Sequence, residues 1–96
     1  MFPLPLARTV VSRLLDEIVE DRRLLAAGTG PTLEDIDRRI ATLTELLGQL
    51  PEDFSRLRRL IRSEPDFQSP FPETRLVALS EHCTIALGVI DRLAGS

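Results

Sequence analysis

His82 and Cys83 are the only side chains in this sequence suited to act as a base and a nucleophile. Neighbours on a helix point about 100° apart, so the two cannot form a dyad there. Cys83 falls on the apolar repeat Leu76, Leu79, Cys83, Ala86, Ile90, Leu93 and reads as a small core residue. His82 falls beside that repeat and reads as a partly buried polar residue or an interface residue. The acids Asp16, Glu17, Glu20 and Asp21 are close enough on one helix for a metal site or an acidic docking patch. The simpler reading, a solvated face opposite the core, is preferred. Arg56, Arg58, Arg59 and Arg62 form the one basic cluster, suited to a phosphate or an acidic partner helix. Phe67 and Phe71, half of the aromatic side chains, follow it in a proline-rich stretch. They either pin that stretch to the protein or, if it is mobile, make an exposed binding spot.

Other chemistry lacks its residues. All twelve basic residues are Arg. Without Lys there is no Walker-type phosphate loop and no Schiff-base enzyme, and the short helical chorismate mutases also depend on a catalytic Lys. No Glu-x-x-His motif for a di-iron bundle is present. One Cys permits neither an internal disulfide nor a thiolate zinc site, and fits a reducing cytoplasm. The expectation is that the chain is not an enzyme and holds neither cofactor nor metal.

The elements that would position these residues follow from periodicity. Thr74 to Leu93 is the least charged long segment, and it is apolar over most of its circumference. Such a helix, predicted over 73–94, must be buried on most sides and is expected to be central. Residues 1–6 read as an extended lead-in because of Pro3 and Pro5. A first helix is predicted over 7–27, with Val11, Leu14, Leu15, Ile18 and Leu25 as its apolar stripe and Gly28 as its terminator. Thr32 with Asp35 approximates a capping box for a second helix over 33–50. The short loop between them predicts an antiparallel hairpin. Leu33, Ile36, Ile40, Leu43, Leu47 and Leu50 form a seam of coiled-coil type, and Leu46 widens it. Glu34–Arg38 and Asp35–Arg39 are favourable i,i+4 pairs that suggest an exposed face. Pro51 starts a third helix over 51–63, with Glu52 and Asp53 at its positive end and Glu52 able to pair with Arg56. Residues 64–72 form the Pro/Phe loop.

The 96 residues make one domain, 43% hydrophobic and 28% charged. The net charge of −3 and the lack of aromatics among the arginines weigh against nucleic acid. The amino terminus does not read as a signal peptide, and no uncharged run approaches a membrane span. A soluble, cytoplasmic protein is expected. A core this small would gain from homodimerisation. The Arg-only usage suggests a GC-rich genome.

Arg38-Arg39-Ile40, Glu45-Leu46, Leu50-Pro51-Glu52 and Phe54, followed by His82, Ala86-Leu87 and Gly95, resemble the TraM-type quorum-sensing anti-activators of rhizobia and their relatives. The resemblance spans residues 38–95. It implies a small, dimeric, all-helical bacterial protein that binds a LuxR-type transcription factor and blocks its DNA contact. The basic third helix, the Pro/Phe loop and the first helix depart from that pattern.

Together these readings predict an all-α bundle of four helices with the last one central. The function they suggest is that of a regulatory protein-binding module, with Arg56, Arg58, Arg59, Arg62, Phe67 and Phe71 as partner-binding residues. Arg58→Glu is expected to weaken partner capture without unfolding the protein. The rivals are a nucleic-acid binder using Arg56–Arg62, a phage-type inhibitor and an assembly subunit.

Overall fold

A computed structural model describes residues 2–95. The elements are α1 (Leu4–Ala26), α2 (Leu33–Gly48), a 3-10 turn (Glu52–Phe54), α3 (Ser55–Arg62), a second 3-10 turn (Pro65–Gln68) and α4 (Pro72–Gly95). No strand occurs among the described residues. The Cα radius of gyration is 13.3 Å, near that of a compact 100-residue domain. No helix among the described residues is long and apolar enough to cross a membrane.

The first helix begins three residues earlier than predicted. The lead-in expected over 1–6 includes Met1, which lies outside the described residues. From Leu4 onward it is helix. Pro5 sits in the first turn, where an amide has no partner to lose, and the Ala7 amide donates to Pro3 O at 2.9 Å. The other end is closed by a Schellman arrangement. Gly28 adopts φ +83°, its amide donates to Leu25 O, and Thr29 donates to Leu24 O. Gly30 is needed for a different reason: a Cβ there would fall 2.8 Å from the Leu25 Cα, a backbone atom that cannot turn aside.

The capping box of α2 is complete. Asp35 N donates to Thr32 Oγ1, and Thr32 N donates to Asp35 Oδ2. The helix ends at Gly48, slightly before the predicted stop, and Leu50 beyond it remains buried. The region expected as one helix over 51–63 opens as a 3-10 turn. The α-helix proper starts at Ser55. Phe54, at the junction, has no exposed surface and anchors both pieces.

α4 is the hub, as its composition predicts. It touches every other element. Leu76, Leu79, Cys83, Ala86 and Ile90 are all buried, with Ala78 and Val89 beside them. α1 lies antiparallel along α4. Arg8–Asp91 joins one end at 3.4 Å, and Arg22–Glu73 joins the other at 2.7 Å. This pairing, more than an α1–α2 hairpin, organises the bundle. α1 and α2 meet only sparsely and leave a groove of about 640 Å³ between them.

The Pro/Phe stretch is ordered around its 3-10 turn and packs on α4. The two phenylalanines divide the roles expected of them as a pair. Phe67 is buried, with 7% exposed, and Phe71 is 67% exposed.

Candidate functional site

Arginine supplies every fixed positive charge, so where each guanidinium is satisfied marks which surface is left to act. Most are engaged within the protein. Arg8, Arg22, Arg23 and Arg38 make surface ion pairs. Arg75 binds Asp37 and donates to Ser69 O at 2.7 Å, tying the Pro/Phe segment to α2 and α4.

Arg39 departs from expectation. It does not pair with Asp35 along its own helix but crosses to α1. There it grips Asp21 through two hydrogen bonds and Glu17 through a third. Asp21 is only 5% exposed. The reading of Asp16–Asp21 as a wholly solvated face is therefore corrected. Asp16 and Glu20 are exposed, and Glu20 is held below the usual carboxylate range by hydrogen bonding to Arg23. Glu17 and Asp21 turn inward as the counter-charge of Arg39. Hydrogen bonding to Asp21 in turn raises the pKa of Arg39. A bidentate fork on a nearly dry carboxylate is the geometry in which an ion pair resists screening.

Arg58 is also corrected. Its Nη1 donates to Leu47 O at 2.9 Å, Leu50 O at 3.0 Å and Pro51 O at 3.2 Å. The last turn of α2 contains no basic residue of its own, and Arg58 reaches back from α3 to the carbonyls at and just beyond its end. Leu47 O and Pro51 O also accept the Leu50 and Phe54 amides, so Leu50 O depends on Arg58 most. It is a structural cap. Arg58→Glu would therefore remove these hydrogen bonds as well as a surface charge, so it does not isolate partner capture from stability. Phe67 likewise leaves the set of exposed anchors. It is packed beside His82, ring centroids 5.5 Å apart and tilted by 51°.

Arg92 is engaged as well. Four guanidinium groups remain without an ion pair or hydrogen bond among the described residues: Arg13 on α1 and Arg56, Arg59 and Arg62 on α3. The expected Glu52–Arg56 pair does not form. The 3-10 opening of this segment places Glu52 off the i,i+4 register of an α-helix. On an α-helical wheel the exposed arc of α3 runs Arg62, Arg59, Arg56, Leu60, opposite the buried Leu57 and Ile61. Leu60 is 42% exposed. Arg56 to Arg62 rises about 9 Å along the axis, in two equal steps.

Arg62 also borders a second groove, of about 480 Å³, between α2 and the α3-to-α4 segment. Ile40, Ala41, Ile61 and Phe67 supply its apolar lining. The stripe and the groove are thus contiguous through one residue.

The second 3-10 turn covers His82, whose Nε2–H donates to Glu64 Oε1 at 3.1 Å. Its Nδ1 is buried without a partner among the described residues. Burial pushes the Cys83 thiol up to about 12, so it is no thiolate at neutral pH. Among the described residues no group of three or more His, Cys, Asp or Glu is placed to hold a metal ion.

The residues that carry the resemblance to the anti-activators are split between core and surface, with Arg38, Glu45, Glu52 and Gly95 exposed. Leu46, Leu50, Phe54, His82 and Ala86 are buried, and Arg39 is the interhelical clamp. No family model matches the chain, and no curated protein or solved structure is similar to it.

Proposed function

We propose that this protein is a small regulatory binding module whose working surface is the α3 stripe Arg56, Arg59 and Arg62. One observation carries the reading. Of the four guanidinium groups that have no partner among the described residues, three share a single two-turn helix. A charge left uncompensated beside buried apolar residues contributes little to folding and much to steering an oppositely charged surface. Phe71, exposed at the start of α4, adds an aromatic anchor. The resemblance to TraM-type proteins makes a LuxR-type transcription factor the first partner to test. Sequestration from DNA is the mode of action, in a cytoplasmic setting and with the module as a homodimer.

The experiment is capture of a purified LuxR-type factor by the wild-type chain and by Arg59→Glu/Arg62→Glu, with light scattering of the partner-free module. Capture that survives both substitutions would remove α3 from the mechanism. Nucleic acid is the second reading, because the same three guanidinium groups suit phosphates. Exposed Glu52 and Asp53 beside the stripe, and the net charge of −3, oppose it. A low-salt gel shift that shows an α3-dependent complex would favour it.

A further inference from the structure

We propose that the segment recognised on α3 is an acidic amphipathic helix, with carboxylates over Arg56, Arg59 and Arg62 and an aliphatic side chain in the groove that Arg62 borders. This rests on the protein-binding reading above and specifies the chemistry of the partner.

The arginines rise along α3 in steps of about 4.5 Å, which a facing helix matches with acids spaced three or four residues apart. Same-face residues of an extended strand are about 6.7 Å apart and drift out of register over two steps. The footprint is short. Exposed Glu52 and Asp53 close one end of the stripe, so a long polyanion would run onto like charge, whereas one to two turns of acidic helix fit within it.

The groove supplies what charge alone lacks. Ile40, Ala41, Ile61 and Phe67 give it an apolar lining, to which Arg62 and Glu45 add charge. Its other acids are already engaged: Asp37 holds Arg75, and Glu64 accepts from His82. An apolar side chain entering there removes water from no free carboxylate except Glu45. Leu60, at the opposite edge of the stripe, offers a second apolar contact. Anchors at the centre and charge at the rim make up the usual division of labour in helix-in-groove recognition.

Fluorescence anisotropy of the full chain with synthetic peptides tests this. The probe is an amphipathic peptide of about four helical turns, with Glu at spacings of three and four confined to two of them, neutral residues flanking, and Leu on the adjoining face. Its Gln counterpart and a DNA duplex serve as controls. The Glu peptide should bind about ten-fold more tightly than the Gln peptide, and the difference should shrink with salt. Arg59→Glu/Arg62→Glu should abolish the preference. Arg13→Glu, which removes the fourth unpaired arginine far along the sequence, should retain it. Ala41→Phe, which fills the groove from an exposed α2 position, should weaken the Glu peptide and leave its salt dependence intact.

Equal binding of the Gln peptide would overturn the proposal, as would equal loss in Arg13→Glu, or a duplex that binds more tightly through α3. Circular dichroism checks the folding of each variant, and Arg59→Gln/Arg62→Gln serves should the charge reversal unfold. If the acidic peptide fails while α3-dependent capture of a protein persists, only the helix proposal falls. If capture also ignores α3, the protein-binding reading falls with it.

Discussion

Arg39 and Arg59 are the same residue on neighbouring amphipathic helices, and their circumstances are opposite. Arg39 faces α1, where Asp21 is nearly dry and Glu17 stands beside it, and three hydrogen bonds hold the guanidinium. Arg59 faces outward on α3, and no acid among the described residues reaches it. The α1–α2 clamp therefore uses charge to hold two sparsely touching helices together. The α3 stripe leaves its charge available to another molecule. Removing a guanidinium from the clamp strands a buried carboxylate. Removing one from the stripe strands nothing.

The largest effect that would break this comparison is at the clamp. Arg39→Ala should cost about 2–4 kcal/mol in urea unfolding, because Asp21 is left without its partner and shielded from water. Asp21→Asn/Arg39→Met should cost clearly less than the sum of the two single changes. An additive result would mean that the clamp is only two surface charges.

Arg58 comes next. Arg58→Ala should lower stability by about 1 kcal/mol, because the Leu50 carbonyl loses its donor while Leu47 O and Pro51 O keep the Leu50 and Phe54 amides. Stability equal to that of wild type would return Arg58 to the exposed cluster.

Acid should then separate the two regions. Hydrogen bonding to Thr32, the backbone bond foremost, holds the Asp35 carboxyl below its ordinary value of 3.8. Its folded pKa is lower than its unfolded one. The stabilisation is therefore present above the ordinary carboxyl range and is lost as pH falls through the folded value. Asp35→Asn should flatten that part of the acid limb. No acid among the described residues pairs with the α3 guanidinium groups, so Arg59→Gln/Arg62→Gln should leave that limb unchanged.

The smallest expected effect on folding is the most informative about function. Arg59→Glu/Arg62→Glu should shift stability by no more than about 0.5 kcal/mol per site while abolishing partner capture. A large loss of stability would show that the stripe, like the clamp, is engaged internally.

Much of the fold was legible because its signals are local. Leu76, Leu79, Cys83, Ala86 and Ile90, buried in α4, follow from one apolar repeat, although Ala78, His82 and Val89 are buried outside it. The α2 start follows from Thr32 and Asp35 three residues apart, and the α1 stop from Gly28. The candidate site was only half legible. Arg56, Arg59, Arg62 and Phe71 are exposed as the sequence suggested, whereas Arg58 and Phe67 are not. A signal for Arg58 existed: α2 runs into Pro51 with no basic residue in its last turn, so its carbonyls needed a donor from elsewhere. No such signal distinguished Phe67 from Phe71, since both sit among prolines.

The amino-acid order determined that there would be rods, where they start and stop, and which face of each is apolar, since these depend on bonds and contacts within a few residues. The choice of which charges meet was left to the tertiary structure. Arg39 finds Asp21 eighteen residues away, and His82 finds Glu64 across a separation of the same length. Distances that long are set by how α1 and the Pro/Phe segment lie against α4, and by which guanidinium groups that packing brings within reach of an acid.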